Sequence, residues 1–380
     1  MRIIQEDQAF MLEKYKKILI KVKKESNYRQ LQKIQENYLD FSSNDYLGLS
    51  KNKDVIEAGV ETAREYGAGS TGSRLLSGNK SIFTEFEEII AKDKKKETAL
   101  IFNSGFQANS GVLECLTDRE TTVIFDKLNH ASMYQGIFAS GAKLIRFEHL
   151  DYNNLESILK NLNSQKVIIV SETVFGMDGD IADIKVLSDL SNKFNTLLYL
   201  DEAHATGLYG ENGYGLSTNF QLNPKTTIIM GTFSKALGSS GAYIACSDLI
   251  KDYLLQKCRS FIYSTALSPF CIGAAMKAWG IVKLLSKTKE NLFLNAKNLR
   301  KQLKSLNFDV IGNETNIIPI LCEKQEIMKN IKNKCFQNGI KVSGITKPTS
   351  PTPRIRIAIT ATHTAEDIEK LVEIINEKQF

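Results

Sequence analysis

The feature that most constrains the fold of this chain is a succession of short apolar segments, each separated from the next by a stretch with helical periodicity. Segments of this length between helices are typical of strands that are buried on both faces of a mostly parallel sheet. The sequence therefore predicts an α/β fold with a large sheet covered by helices on both sides. The strand candidates are TALIF (98–102), TTVIF (121–125), KLIRF (143–147), KVIIV (166–170), TLLYL (196–200), TTIIM (226–230) and AYIA (242–245).

Both ends of the chain depart from this alternation and predict a smaller α+β unit. Helical periodicity extends from about residue 6 to residue 35, and YLDFSSNDYLGLS (38–50) predicts a short strand and a turn. Beyond residue 284, strand candidates alternate with helices. In chain order these are a helix at about 285–306, the strand TNIIPI (315–320), a helix at about 325–338, the strand RIRIAI (354–359) and a helix at about 365–377.

The length of the chain, 380 residues, exceeds what one hydrophobic core usually serves. We therefore predict a large domain at residues 51–284 and a small domain built from both chain ends, residues 1–50 and 285–380. No apolar run approaches the roughly 18 residues that a membrane helix needs. The first ten residues, MRIIQEDQAF, have acidic residues where a signal peptide would place its apolar core. These observations predict a cytoplasmic protein that does not bind a membrane.

Charge and cysteine content bear on the possible partners. The net charge is +6, and lysines are dense in KYKKILIKVKK (14–24) and KDKKK (92–96). Because neither run belongs to a known nucleic-acid-binding module, we interpret each as a solvated helix face and predict no nucleic-acid partner. A basic rim would still attract an anionic substrate, such as a coenzyme A ester or an acidic carrier protein. The six cysteines lie far apart without a C-x-x-C pair, which predicts buried free thiols and no metal site.

Polar residues follow several of the predicted strands, which is where open α/β sheets bind their ligands. Asp201 comes directly after TLLYL (196–200), and a carboxylate there can pair with the cationic ring nitrogen of a cofactor. The alternative interpretation is a helix N-cap, which aspartate often supplies. His204, in the same DEAHATG segment, is close enough to contact the same ligand.

A lysine near another strand end is the candidate nucleophile. Lys235 follows TTIIM (226–230) in the segment GTFSKALGSSGAYIA. Burial would lower the pKa of this lysine and suit it to form a Schiff base. The flanking Thr232 and Ser234, with the glycine-rich backbone, suit a phosphate. The alternative is a surface lysine in a glycine–serine loop.

Two further segments follow predicted strands. In NSGFQANSG (103–111), backbone amides near Ser104, Gly105 and Phe106 would form an anion site at a helix N-terminus, although an ordinary strand-to-helix turn would look similar. His130 in DKLNHAS can lie flat on an aromatic cofactor ring or exchange protons near neutral pH, and a structural histidine is the alternative. The features together, each matching a different part of one cofactor, predict a single site.

These segments resemble the α-oxoamine synthases, a branch of the fold-type-I pyridoxal-phosphate enzymes. The resemblance extends from about Arg29 to the last predicted helix. It implies pyridoxal 5′-phosphate as the cofactor and a homodimer with the active site at its interface. The motifs that carry it are, in chain order, FSSNDYLGLS, GAGSTGSRLLSG, SGFQAN, DKLNHAS, FGMDGD, DEAHATG and GTFSKALG.

The resemblance implies a role for each matching position of the cofactor site. Lys235 would carry the cofactor as a Schiff base, and Asp201 would pair with its pyridine nitrogen. His204 would hydrogen-bond the phenolic oxygen of the ring, and His130 would stack on the ring face. These four residues would form the catalytic set. The phosphate end would be bound by Ser104, Gly105, Phe106, Thr232 and Ser234.

The resemblance also implies the substrate residues. Arg356 would bind the amino-acid carboxylate, for which a guanidinium is well suited, and His130 would also contact the substrate. Arg29 would lie near the acyl substrate, Asn44 at the entrance of the active site, and Thr349 matches a threonine of the substrate loop. The segments GSTGSR (69–74) and YST (263–265) would reach the phosphate of a neighbouring subunit.

Within the family, GAGSTGSRLLSG and the chain length most resemble the enzymes that condense L-alanine with a pimeloyl thioester in biotin synthesis. Two departures fall where the family handles the acyl chain. Gly176 in FGMDGD replaces a serine, and ITKPTSPTPRIRI (345–357) is shorter than usual. The alternatives are a family member that uses glycine or serine with another acyl thioester, a plain aminotransferase, and a non-catalytic binding protein with the same fold.

Overall fold

The computed structural model describes residues 2–24, 28–29, 31 and 38–376. Within these residues the strands belong to three sheets, of seven, three and two strands. The strands are β1 (Leu39–Asp40), β2 (Thr98–Phe102), β3 (Thr122–Asp126), β4 (Lys143–Phe147), β5 (Val167–Glu172), β6 (Leu197–Asp201), β7 (Thr227–Thr232), β8 (Ala242–Cys246), β9 (Ile317–Leu321), β10 (Ile340–Lys341), β11 (Ser343–Ile345) and β12 (Arg354–Ala358).

Helices connect most of these strands. Those of the described residues are α1 (Arg2–Lys24), α2 (Lys53–Tyr66), α3 (Ser81–Asp93), α4 (Gly105–Leu116), α5 (Ala131–Ser140), α6 (Tyr152–Lys160), α7 (Ile184–Lys193), α8 (Asp248–Lys257), α9 (Arg259–Ile262), α10 (Pro269–Val282), α11 (Ser286–Ser305), α12 (Gln325–Gln337) and α13 (Ala365–Asn376).

The large sheet confirms the predicted α/β architecture. Its strand order is β2-β8-β7-β6-β5-β3-β4, and the strands are parallel except β8, which runs antiparallel to both of its neighbours. Each predicted strand is present within two residues of its predicted ends. The central strands are apolar throughout because both faces are covered: Tyr243 of β8 packs in one buried cluster and the next residue, Ile244, in another.

The smaller unit is also present. β11, β12 and β9 form an antiparallel sheet, and β1 pairs in parallel with β10 through Leu39 and Ile340. The N-terminal segment therefore joins the C-terminal part of the chain, as the fold prediction required. The domain limits at residues 50 and 284 stay a prediction.

The predicted N-terminal helix is wrong at its end. α1 is described from Arg2 to Lys24, residues 28, 29 and 31 are not helical, and the rest of the predicted helix up to residue 35 lies outside the described residues. Lys21, Lys23 and Lys24 occupy the last turn, where positive charge interacts favourably with the helix dipole.

The interpretation of KDKKK (92–96) as a solvated helix face is wrong for Lys94 and Lys96. Lys94 is buried and forms an ion pair with Glu202, and its ammonium also donates to the carbonyl of Tyr214 (2.7 Å). Lys96 is buried, and desolvation lowers its pKa to about 8. By contrast, the lysines of residues 14–24 are exposed, as predicted.

The cysteines are free, as expected from their spacing. Cys246, Cys258, Cys322 and Cys335 are buried, whereas Cys115 and Cys271 are only half-buried. Among the described residues, none of the helices combines the length and the apolar character needed to cross a membrane.

Candidate active site

A cavity of about 240 Å³ lies at the carboxyl ends of the central parallel strands. Glu172 ends β5, Asp201 ends β6 and Thr232 ends β7, so the parallel arrangement brings these three side chains to one edge of the sheet. The predicted cofactor residues all line this cavity: Ser104, Gly105, Phe106, His130, Asp201, His204, Thr232, Ser234 and Lys235.

Asp201 is fixed by donors from two other elements. Its Oδ1 accepts from the backbone N–H of Ala203 (2.8 Å), and its Oδ2 accepts from Nδ2 of Asn109 (2.8 Å). The hydroxyl of Tyr199 donates to Oδ1 of Asn109 (2.8 Å), which determines that the amide nitrogen faces Asp201. In the described part of the chain no lysine or arginine forms a salt bridge with Asp201, which is only 4% exposed. Its carboxylate is therefore available to a cationic ligand.

Lys235 lies on the short connection between β7 and β8. The backbone N–H of Phe233 donates to the carbonyl of Gly241 (2.9 Å), and that of Ser239 donates to the carbonyl of Phe233 (2.9 Å), so the connection is closed at its base. Desolvation lowers the pKa of Lys235 to about 8, although the charge of Asp201 opposes the shift. An amine with this pKa is partly unprotonated at neutral pH, which suits a nucleophile.

Polar atoms suited to an anion lie where the turn before α4 meets the end of β7. Ser104 caps α4, and its Oγ accepts from the backbone N–H of Gln107 (3.1 Å). A Cβ on Gly105 would lie 2.7 Å from Cγ2 of Thr232, so glycine permits this close approach. Oγ1 of Thr232 is buried without a hydrogen-bond partner among the described residues. Because buried hydroxyls are rarely unpaired, an unpaired Oγ1 beside a helix N-terminus fits a phosphate group.

The two predicted histidines differ in environment. His130 caps α5 and faces the open cavity, with Nδ1 2.7 Å from Oγ of Ser132. His204 is buried, and its Nδ1 forms a hydrogen bond of 2.7 Å with the hydroxyl of Tyr46. Burial, together with the positive charge of Lys235, holds the pKa of His204 well below its usual range. His204 is therefore a neutral imidazole at physiological pH.

Arg356 of β12 joins the same network. Its Nε donates to the carbonyl of Gly176 (2.6 Å), and its Nη2 donates to Oδ1 of Asn44 (3.1 Å) and to the hydroxyl of Tyr46 (3.3 Å). Nη1 has no hydrogen-bond partner among the residues for which the structure gives a description. The Tyr46 hydroxyl thus connects Arg356 to His204, and Nη1 remains available to a carboxylate.

Of the predicted substrate residues only His130 lines the cavity, and Arg356 and Asn44 are joined to it through Tyr46 and His204. Thr349 lies in an exposed turn after β11, where its backbone N–H donates to the carbonyl of Thr346 (3.0 Å). Arg29 is exposed as well. Their substrate roles stay predictions.

The segments GSTGSR (69–74) and YST (263–265) lie side by side. Ser73 and Thr265 form a β-bridge, and Nδ2 of Asn103 donates to the carbonyl of Thr265 (2.6 Å). This bond ties both segments to the turn that precedes α4. Their contact with the phosphate of a neighbouring subunit stays a prediction.

Sequence reasoning missed three residues of the site, namely Glu172, Asn109 and Tyr46. Glu172 ends β5 beside Asp201 in the strand register, so the rule that selected Asp201 would have found it. Burial and the charge of Asp201 raise the pKa of Glu172 to about 8, and its carboxyl is therefore mostly neutral at pH 7. Asn109 bonds to Asp201, which is 92 positions away in the sequence, and Tyr46 bonds to His204, which is 158 positions away. Local spacing does not reveal contacts over such separations.

The turn between β5 and α7, which contains Gly176, is anchored by a histidine between two aspartates. Nδ1 of His149 lies 2.9 Å from Oδ1 of Asp126, and its Nε2 lies 3.1 Å from Oδ2 of Asp180. Burial alone would lower the pKa of His149, but the hydrogen bonds and charges of both carboxylates outweigh it and raise the pKa to about 9. An imidazolium therefore joins the end of β3 to this turn at neutral pH.

We expect this imidazolium to make stability depend on pH. Because the folded-state pKa lies above the value of about 6.5 in the unfolded chain, the stabilisation is complete below about pH 6.5 and is lost as the pH rises through about 9. Its full size should be about 1–3 kcal/mol in the free energy of unfolding. Thermal unfolding midpoints of the wild type and His149→Gln should differ most near about pH 6 and converge by about pH 9.5. A difference that does not change with pH would contradict the charged state of His149.

Known proteins resemble this chain over almost its full length. Residues 36–375 match the family model described as Aminotransferase class I and II. A "Putative 8-amino-7-oxononanoate synthase" of Bacillus cereus (strain Q1) is 41% identical over 353 residues, which cover 91% of this chain and 90% of that protein. A protein of the same name from Geobacillus kaustophilus (strain HTA426) is 42% identical over 341 residues, 89% of this chain and 87% of that protein.

Solved structures share the fold. A serine palmitoyltransferase from S. paucimobilis with a bound PLP–myriocin aldimine has a TM-score of 0.88 at 25% identity, covering 96% of this chain and 97% of that chain. An 8-amino-7-oxononanoate synthase from Francisella tularensis has a TM-score of 0.79 at 28% identity, covering 90% of this chain and 98% of that chain.

The chain belongs to the aminotransferase class I and II family. It is a pyridoxal-phosphate-dependent enzyme of the α-oxoamine synthase type, so the family resemblance and the cofactor predicted from the motifs are confirmed.

Proposed function

We propose that this enzyme condenses L-alanine with a pimeloyl thioester to form 8-amino-7-oxononanoate, carbon dioxide and a free thiol. The observation that carries the proposal is the buried Arg356. Its Nη1 has no partner among the described residues, and its Nη2 bonds to the hydroxyl of Tyr46, which also bonds to the cavity residue His204. The names and identities of the Bacillus and Geobacillus relatives support the choice of substrates. The proposal includes a cytoplasmic homodimer and an acyl donor that is an ester of coenzyme A or of an acyl carrier protein.

The cavity residues would hold the cofactor by complementary chemistry at both of its ends. Oγ1 of Thr232 and the backbone N–H groups of Gly105 and Phe106 would bind the phosphate. Asp201 would bind the protonated pyridine nitrogen, and Lys235 would form the covalent link. When bound, the ring supplies an electron sink for the charge that develops at the α-carbon of the amino acid.

The histidines and the second carboxyl group would complete this arrangement. His130, at the N-terminus of α5, would cover the ring face, and neutral His204 would hydrogen-bond the phenolic oxygen. Glu172 has a raised pKa and is mostly neutral, so Asp201 provides the negative charge at this edge of the sheet. Two carboxylates at adjacent strand ends disfavour each other's ionised form, which is one reason why Glu172 is neutral beside Asp201.

Arg356 would orient the amino acid. Nη1 would donate to the carboxylate of L-alanine, while Gly176, Asn44 and Tyr46 occupy the other donors of the guanidinium. A charge-assisted hydrogen bond in a buried site is stronger than a neutral one. The carboxylate would therefore be held at a fixed position relative to the Lys235 amine.

Lys235 would move the proton. Its lowered pKa leaves an amine that can accept the α-proton of L-alanine and later return a proton at the same carbon. Acid–base catalysis of this kind is typically worth about 10²–10⁴-fold in rate. The reaction forms a bond between the α-carbon and the acyl carbon, breaks the thioester C–S bond and then releases the carboxylate as carbon dioxide, so the atoms balance.

The test is to incubate the purified holoenzyme with L-alanine and either pimeloyl-coenzyme A or pimeloyl-carrier protein. We expect the mass of 8-amino-7-oxononanoate and an equal amount of free thiol with at least one donor, and neither product when L-alanine is omitted. Product from serine or glycine with a long-chain thioester, and none from L-alanine, would show another α-oxoamine synthase. A 2-oxo acid formed from L-alanine without a thioester would show an aminotransferase.

A further inference from the structure

The hydroxyl of Tyr46 is the point where three polar side chains of the site meet. Tyr46 is completely buried. Its hydroxyl lies 2.7 Å from Nδ1 of His204, 3.1 Å from Oδ1 of Asn44 and 3.3 Å from Nη2 of Arg356. Burial raises the pKa of Tyr46, although the charge of Arg356 opposes the shift. The hydroxyl therefore keeps its single proton near neutral pH.

The three neighbours decide where this proton points. A guanidinium has no acceptor, so Arg356 can only donate to the tyrosine oxygen. Oδ1 of Asn44 lies beyond the usual range of about 2.5–3.0 Å for an O–H···O bond, and it already accepts from Nη2 of Arg356 (3.1 Å). Nδ1 of His204 is the nearest acceptor. The hydroxyl of Tyr46 therefore donates to Nδ1.

This bond determines which nitrogen of His204 carries the proton. The imidazole is neutral at physiological pH, because burial and the positive charge of Lys235 hold the pKa of His204 well below its usual range. A neutral imidazole has one N–H group, and its other nitrogen is an acceptor. Since Nδ1 accepts from Tyr46, the proton lies on Nε2.

Nε2 of His204 opens on the cavity. It has no hydrogen-bond partner in the part of the chain that the structure describes. It is also not one of the fully enclosed polar atoms that lack a partner there. His204 itself lines the cavity. The Nε2–H group is therefore a donor that an oxygen of a bound ligand can reach.

We infer that Tyr46 is a positioning residue that sets the tautomer of His204 and so presents Nε2–H to the phenolic oxygen of the cofactor. The hydroxyl also accepts from Arg356, and this bond polarises the O–H group and strengthens its donation to Nδ1. The contact with the phenolic oxygen rests on the proposed function. The tautomer is a property of the protein alone.

Nitrogen-15 NMR of the histidine side chains tests the tautomer in the protein without cofactor. The chain has four histidines, and the spectrum of His204→Gln identifies the signals of His204. Near neutral pH we expect the form protonated on Nε2 to exceed the form protonated on Nδ1 by at least about tenfold. Tyr46→Phe keeps the ring and removes the donor, so this ratio should fall by at least about threefold. A wild-type His204 protonated on Nδ1, or an unchanged ratio in Tyr46→Phe, would overturn the inference.

Two further variants isolate the effect of this hydroxyl. Asn44→Ala removes the other acceptor, and because Asn44 does not hold the tyrosine proton, the tautomer of His204 should stay as in the wild type. Tyr66→Phe is the matched control, since the bond of that hydroxyl to Oγ of Ser81 (2.8 Å) lies at the surface. A changed tautomer in Asn44→Ala would show that the tyrosine proton belongs to Asn44 and would overturn the inference. The wild type and Asn44→Ala decide the question even if Tyr46→Phe does not fold.

Cofactor binding tests the direction in which Nε2–H is presented. The affinities of the wild type, Tyr46→Phe and Tyr66→Phe are measured for pyridoxal 5′-phosphate and for an analogue with hydrogen in place of the phenolic hydroxyl. We expect Tyr46→Phe to weaken binding of pyridoxal 5′-phosphate by about three- to tenfold and binding of the analogue by less than about twofold. Tyr66→Phe should change neither. Equal losses for both compounds in Tyr46→Phe would show a purely structural role and would refute the inference.

The inference and the proposed condensation fail separately. Neither the tautomer nor the affinity for the two cofactor compounds is measured with an amino acid or a thioester. A protein that does not use L-alanine would still show the expected tautomer. Conversely, a His204 protonated on Nδ1 would leave the proposed substrates in place.

Discussion

Lys235→Ala should reduce kcat by at least about 10³-fold and prevent covalent attachment of the cofactor. Lys235 lines the cavity, and burial lowers its pKa to about 8, so one amine would both bind the cofactor and move the substrate proton. Alanine removes both roles. The measurements are kcat, the absorbance of the purified protein, and the protein mass after borohydride reduction, which should show bound cofactor only in the wild type.

Lys225→Ala is the matched control for this prediction. Lys225 lies near β7 but is exposed, and its ion pair with Glu97 (2.5 Å) lies at the surface. A surface pair of this kind contributes little to stability, so turnover and cofactor attachment should stay at wild-type values. Normal turnover of Lys235→Ala would overturn the assignment of Lys235 as the nucleophile.

Asp201→Asn should lower kcat by about 10²–10⁴-fold while the protein still folds and binds cofactor. Asparagine keeps an oxygen that can accept from the N–H of Ala203, so that bond is retained. What is lost is the oxygen that accepts from Nδ2 of Asn109 and the negative charge that would favour a protonated pyridine nitrogen, an interaction strengthened by the desolvated site. Steady-state kinetics and the cofactor absorbance of the variant check this expectation.

Asp183→Asn is the matched control for this prediction, because it makes the same change at an aspartate that caps a helix. Asp183 caps α7, and its Oδ1 accepts from the N–H of Val186 (3.0 Å). Asparagine is as good an N-cap as aspartate, so this variant should have normal turnover. If Asp201→Asn were equally active, Asp201 would serve only to accept the hydrogen bond that orders the turn at Ala203.

The large sheet was predictable because each central strand is short, apolar and buried on both faces, so that local composition is sufficient. Dependence on local sequence also explains why α1 was predicted too long, because helical periodicity alone does not show where a helix ends. It also explains the error at Lys94. The carboxylate of Glu202, which accepts a hydrogen bond from the Lys94 ammonium, lies 108 residues away in the sequence. Without that partner, a run of lysines is indistinguishable from a solvated helix face.

The cofactor side of the site was more predictable than the substrate side. Residues that follow strands meet at one sheet edge by topology, which brought Asp201 and Lys235 together in the prediction. Arg356 and Asn44 come from opposite ends of the chain, and their hydrogen bond spans 312 positions. Only the family motif, not the local pattern, indicated their proximity, and nothing in the pattern showed that Tyr46 would connect them to His204.

The reversed direction of β8 has a consequence for the mobility of the segment that carries Lys235. A crossover between parallel strands needs a dozen or more residues, whereas the hairpin after β7 returns to the sheet within residues 233–241. The loop is closed by bonds from Phe233 to Gly241 and from Ser239 to Phe233. Little backbone entropy would remain to be lost if Lys235 bound a ligand, so the antiparallel strand would order the backbone at Lys235 before any ligand arrives.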